Sequence, residues 1–203
     1  MHEGLIQPHN TALLLFHYQN DSVHPDGKLA RWGMAAMVEE KGLLRNSRAL
    51  LDWARMEGLL VVYFVYAFRK DLSDVPTNSP LYRRLKESAG LIEGTWGAEI
   101  HPSVRPRHGE PVIKKPRIGA FTGTELDELL RSRAIDTLVL AGITTNWVIE
   151  STARHAIDLG YKLVAVEDCM ASLTQALHDF AIQNIYAEIG TVVRVCDLVR
   201  LRA

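Results

Sequence analysis

The stretch IDTLVLAGITTNWVIESTARHAIDLGYKLVAVE, residues 135–167, changes its hydrophobic period twice. IDTLVLA (135–141) is nearly continuous in apolar residues, as a strand buried on both faces must be. From about residue 147 the spacing turns helical and stops at Gly160, a residue that ends helices without steric cost. YKLVAVE (161–167) then resumes a buried, β-rich run. Strand, helix and strand in this order form a βαβ unit, which implies parallel strands.

The same alternation extends in both directions. TALLLFH (11–17), LLVVYFVY (59–66) and TVVRVC (191–196) read as further strands. Apolar residues at 43, 44, 50, 51 and 54, followed by Gly58, predict a helix over 43–57. Thr124 followed by Asp127 resembles a capping box ahead of Leu126, Leu129 and Leu130. A last helix runs from about 175 to Gly190. The fold class predicted is α/β, a parallel sheet with helices on both faces, as one domain over 1–203. Ligands bind such sheets outside the carboxyl ends of the strands, so the site is expected just after 17, 66, 115, 141 and 167. Two loop-rich inserts, 18–40 and 68–97, follow strands and have the length of lids or oligomer contacts.

Composition excludes several alternatives. The 203 residues are 47% hydrophobic and 23% charged, with a net charge of -1. No basic field invites nucleic acid or an anionic membrane. The longest apolar run, LLVVYFVYAF (59–68), is too short to span a bilayer. MHEGLIQPHN at the start lacks the pattern of a signal peptide, and Cys169 and Cys196 make no disulfide framework. A cytoplasmic protein is the expectation.

Four segments, LLLFHYQND (13–21), LIEGTWGAEIHPSV (91–104), VIKKPRIGAF…LGY (112–161) and VAVEDCMAS (164–172), together resemble the isochorismatase-like (cysteine hydrolase) superfamily. The resemblance implies a Rossmann-like sheet and, commonly, amide hydrolysis by an Asp, a Lys and a Cys, with two backbone amides stabilising the oxyanion. Carried over by position, the Asp site holds His17, the Lys site holds Lys115 and the Cys site holds Val148. Only the lysine is retained. Lys114 faces the other way in an extended segment. The backbone amides of Thr144 and Val148 remain as oxyanion donors by resemblance, and Ile143–Thr144 matches the family's cis peptide.

These positions have bland readings too. His17 is a general acid or base, or a filler of the old aspartate site, and is expected neutral beside Lys115. Lys115 is an anion ligand or a surface lysine. Val148 is a pocket wall. Cys169 is a substitute nucleophile or a structural residue; Thr144, Thr145 and Ser151 are weaker nucleophile candidates, and Asp21 is a turn-ordering residue or a replacement base. Trp96, Trp147, Tyr66 and Phe68 are pocket walls, core or subunit interface. Relatives of the nicotinamidase type hold a divalent metal, but Asp71 and Asp74 are a poor zinc set, and His24, His101 and His108 are scattered, so no metal and no cofactor is expected.

Three functions follow. The first is non-cysteine hydrolysis of a small carboxylate, vinyl-ether or amide substrate. The second is a catalytically silent relative that binds a small molecule or serves a structural role. The third is a hydrolase using Cys169. A small-molecule ligand and a homo-oligomer, dimer or tetramer, are the expected partners.

Overall fold

The structure, a computed structural model, describes residues 6–199. The first five residues of the amino-terminal stretch read above and the last four of the 1–203 domain lie outside the described residues. Six strands form one sheet: β1 (Thr11–Phe16), β2 (Leu60–Val65), β3 (Val112–Lys114), β4 (Thr137–Ile143), β5 (Lys162–Ala171) and β6 (Thr191–Val193). Their order is β3-β2-β1-β4-β5-β6 and every pairing is parallel. The helices are α1 (Asn20–Val23), α2 (Met34–Glu40), α3 (Leu43–Met56), α4 (Pro80–Ser88), α5 (Leu126–Ser132), α6 (Glu150–Asp158), α7 (Gln175–Ala181), α8 (Ala187–Ile189) and α9 (Val195–Val199). A π-helical turn, Thr145–Ile149, leads into α6, and a second, Ile182–Tyr186, joins α7 to α8.

β1 has no polar face because both sides of the sheet are covered. Successive strand residues point to opposite faces. Leu13 and Leu15 enter one core layer with Leu43, Leu50 and Leu51 of α3. Ala12, Leu14 and Phe16 enter the other with Leu126 and Leu130 of α5 and Ala153 of α6. That is the physical reason for the continuous apolar runs. No helix among the described residues is long and apolar enough to cross a membrane.

Several boundaries differ from the sequence expectation. β3 has three residues, too few to show a period. The strand expected over 191–196 stops at Val193, because Asp197 accepts a hydrogen bond from the Arg194 amide (2.8 Å) and Asp168 one from the Val195 amide (2.9 Å), turning the chain into α9. The capping box forms only in part: Thr124 Oγ1 accepts from the Leu126 amide (3.4 Å), but Asp127 instead accepts from Tyr161 Oη (2.7 Å) and Arg131 Nε (3.0 Å). β5 runs on to Ala171 through an excursion, since its pairing with β4 passes from Leu140–Ala165 directly to Gly142–Met170.

The chain lays β2 and β3 on one side of β1, then crosses to lay β4, β5 and β6 on the other. Where the winding reverses, the loops leaving β1 and β4 diverge and leave a crevice at the carboxyl edge.

Candidate functional site at the strand switch point

His17 is the first residue past β1. Its backbone is left-handed (φ 53), and its amide donates to the Phe64 carbonyl at 3.0 Å. A non-glycine residue in this conformation costs on the order of 1–2 kcal/mol, and such outliers concentrate at functional sites. The ring is buried and stacks on Tyr66, just past β2, with centroids 4.6 Å apart and planes at 29°. Its Nε2 is buried with no hydrogen-bond partner. Desolvation, and then the nearby Lys115, hold the imidazole well below its ordinary pKa of 6.5, against a smaller opposing effect of Gln19. The ring is neutral at physiological pH.

The turn that follows ties the inserts down. Gln19 brackets Tyr66: its Oε1 accepts from the Tyr66 amide (2.9 Å) and its Nε2 donates to the Tyr66 carbonyl (2.6 Å) and to that of Ala98 (2.8 Å). Asp21 accepts from the Lys28 amide (2.9 Å) and the Leu91 amide (2.6 Å). Gly97 lies so close to this carboxylate that any side chain there would collide with it. With its oxygens so engaged, Asp21 orders the two inserts.

Lys115 is 1% exposed and directed away from solvent, whereas its neighbour Lys114 reaches an exposed pair with Glu93 at 3.4 Å. The Lys115 ammonium donates to the carbonyls of Arg117 (2.7 Å) and Ile118 (3.0 Å) and stands 3.9 Å from the Tyr66 ring centroid. Burial pushes its pKa well down.

At the end of β4, Gly142 is left-handed (φ +127), and a Cβ there would run into the backbone of Phe16, so the close approach of β4 to β1 requires glycine. The Ile143–Thr144 peptide is cis. Thr145 is held from behind: its hydroxyl bonds His178 Nδ1 at 2.9 Å and its carbonyl accepts from Tyr186 Oη at 2.8 Å. Burial, with Lys41, pushes the His178 pKa down to about 4. The Val148 carbonyl accepts from Thr152 Oγ1 (2.7 Å), which in turn accepts from the Ala120 amide (3.0 Å).

These loops enclose a cavity of about 60 Å³, equivalent to roughly four to six waters. His17, Thr144, Val148, Trp147 and Tyr66 line it from the strand ends, while Trp32, Leu81, Leu85 and Leu91 cover it from the inserts. The structure thus brings His17, Thr144, Val148 and Trp147 together. Lys115 is outside the lining, behind Tyr66. Trp96 is also outside it, 48% exposed and edge-on to His24 at 5.1 Å. Cys169 falls within the β5 excursion, fully buried in the core layer of α3, and its thiol pKa is raised by desolvation. Nothing there lets it meet a substrate. Asp71 and Asp74 accept from Ser73 and the Arg69 amide of their own loop, and no group of three or more His, Cys, Asp or Glu among the described residues could hold a metal ion.

The insert residues of the cover were not singled out from the sequence. A signal existed: Ser79 and Pro80 mark a helix start, with Ser79 Oγ accepting from the Tyr82 amide at 3.3 Å, and Leu81 and Leu85 have the i, i+4 spacing of one helical face.

A parallel, doubly wound sheet with a crevice at its switch point defines the class of α/β proteins that carry their ligand sites at the strand ends. The Isochorismatase domain family matches residues 11–197, and the chain belongs to that family. It is 32% identical over 160 residues to the isochorismatase family protein YwoC of Bacillus subtilis, covering 78% of this chain and 82% of that one. It is 31% identical to the ureidoacrylate amidohydrolase RutB of Rhizobium rhizogenes, over 95% of this chain and 83% of the relative. Among solved structures, an isochorismatase family protein from Desulfovibrio vulgaris superposes with a TM-score of 0.82 at 33% identity, over 95% of this chain and 98% of that one.

Proposed function

We propose that this isochorismatase-family protein is a hydrolase that works without a cysteine nucleophile, with His17 handling the proton. The observation that carries this reading is His17, which lines the cavity and whose Nε2 is buried without a hydrogen-bond partner. An orphaned polar atom is costly unless a ligand or water completes it. Val148 offers no nucleophile, so the attacking group is water.

The state of His17 chooses between substrates. Vinyl-ether hydrolysis needs a proton donor, and burial beside Lys115 disfavours the imidazolium. A neutral imidazole serves as a base, which favours an amide-type bond. His17 Nε2 takes a proton from water, the water oxygen attacks the carbonyl carbon, and the amides of Thr144 and Val148 hold the developing oxyanion. The C–N bond then breaks as His17 returns the proton to the leaving nitrogen. A relative named for ureidoacrylate hydrolysis fits the same bond class.

The test is turnover of a panel of small amides, ureido acids and vinyl ethers. His17→Ala is expected to lower any turnover about 10²–10⁴-fold, while Cys169→Ser leaves it unchanged. Loss of activity in Cys169→Ser with the fold intact would overturn the assignment. A second reading, a silent ligand-binding relative, is favoured by the Lys115 ammonium, which is taken up by two carbonyls and does not line the cavity. Saturable binding without turnover across the panel selects it. A homo-oligomer, dimer or tetramer, and a cytoplasmic setting belong to both readings, and sedimentation at micromolar concentration checks the assembly.

A further inference from the structure

Among the described residues that line the cavity, none carries a formal charge, His17 being neutral. A cation nevertheless stands beside it. The Arg84 guanidinium lies 5.8 Å from the ring centroid of Trp32 and 5.8 Å from that of Trp147, and both indoles line the cavity. Arg84 is on α4, three residues after Leu81 and one before Leu85, which cover the same cavity. Residues three apart on a helix share a face, so Arg84 is on the cavity side of α4. Its side chain is exposed, and among the described residues no carboxylate, carbonyl or hydroxyl engages it. Its neighbours on the helix are used differently: Arg83 donates to the Thr77 carbonyl, away from this group.

We infer that Arg84 is a specificity-determining residue: it selects substrates with an apolar or amide-bearing body that fills the cavity and a carboxylate that reaches the guanidinium beside Trp32 and Trp147. Two ring faces within about 6 Å hold a guanidinium by cation–π attraction, and its N–H donors stay free for a planar anion. Arginine suits this place because its fork matches a carboxylate and stacks on an aromatic face, which a lysine does less well. The anion-binding role expected of Lys115 passes to a residue 31 positions earlier in the chain. The inference rests on the cavity being the substrate site, as proposed above, and does not depend on how His17 acts.

Crotonate and crotonamide form a suitable probe pair, alike in shape and different in charge. Their affinities are compared by ligand-observed NMR and quenching of indole fluorescence, in the wild type and in His17→Ala, where hydrolysis of the amide cannot distort the result. The expected result is a preference for the acid of about fivefold, the scale of a partly exposed charge pair, in both backgrounds. Arg84→Gln brings the ratio to about one, Arg84→Lys leaves part of it, and high salt erodes it in the wild type. A wild-type ratio near one, a ratio unchanged in Arg84→Gln, or no saturable binding of either probe overturns the inference. Loss of turnover in His17→Ala with the acid preference intact separates this assignment from the catalytic one.

Discussion

The end of β1 and the segment after β3 each send one basic side chain against the same ring, that of Tyr66, and the protein treats the two in opposite ways. Lys115 is buried but satisfied, its ammonium held by the Arg117 and Ile118 carbonyls. His17 is buried with its Nε2 unpartnered, has a left-handed backbone conformation, and belongs to the cavity lining. Retention of the family's lysine therefore speaks for the architecture of the 115–118 turn. On the function proposed above, the replaced position, His17, is the one that handles the proton. A residue kept by resemblance and a residue kept for reaction need not be the same.

Substitution separates the two regions. The largest effect expected is the loss of turnover in His17→Ala described above, in a protein that still folds. Next, Lys115→Met removes a donor from two part-buried hydrogen bonds, although Tyr66 Oη still donates to the Arg117 carbonyl at 3.0 Å. Urea unfolding should show a loss of about 1 kcal/mol. A Lys115→Met protein of wild-type stability but without turnover would invert the comparison.

Acid should find the histidine side of the contrast. His17 and His178 are both held below 6.5 when folded, so the unfolded chain binds protons that the native state does not. The stability these two groups contribute should be full above about pH 6.5 and fall as the pH drops below it. The double variant His17→Phe, His178→Gln should flatten that slope in urea melts recorded at a series of pH values; an unchanged slope would assign it to other groups. The smallest effect is that of His17→Phe alone at pH 7. An apolar ring stacks on Tyr66 without an orphaned nitrogen, and the expected gain is about 1 kcal/mol. A loss of that size instead would mean the nitrogen is satisfied after all.

Much of this arrangement was legible in the sequence, and for identifiable reasons. Strands covered on both faces leave continuous apolar runs, so β1, β2, β4 and β5 could be read directly. Strand ends are where such sheets bind ligands, and the family resemblance narrows those ends to His17, Thr144 and Val148. Alternation along an extended segment separates Lys114 from Lys115. What the alternation does not reveal is the destination of the Lys115 ammonium, because its acceptors are set by the turn geometry of the two residues that follow Pro116. Trp96 could not be excluded from the lining by sequence, because its carbonyl, which accepts from Asn20 Nδ2 at 2.8 Å, anchors that loop while its ring faces outward. The cover was obscured for another reason: Trp32, Leu81 and Leu85 come from two separate inserts, which contacts such as those of Asp21 with the Leu91 amide and of Lys28 Nζ with the Ala89 carbonyl bring together only in the fold.

The sheet order also has a consequence for the newborn chain. β1 is made first, is buried on both faces in the finished protein, and needs β4 as a neighbour, yet β4 follows it by more than a hundred residues. At ribosomal speeds of roughly 5–20 residues per second, this greasy ribbon waits on the order of ten seconds with one flank unpaired. During that interval its unpaired edge is open to chaperones and to pairing with other chains. Slower growth at low temperature, or a helper protein supplied alongside, acts on that waiting period rather than on the finished fold.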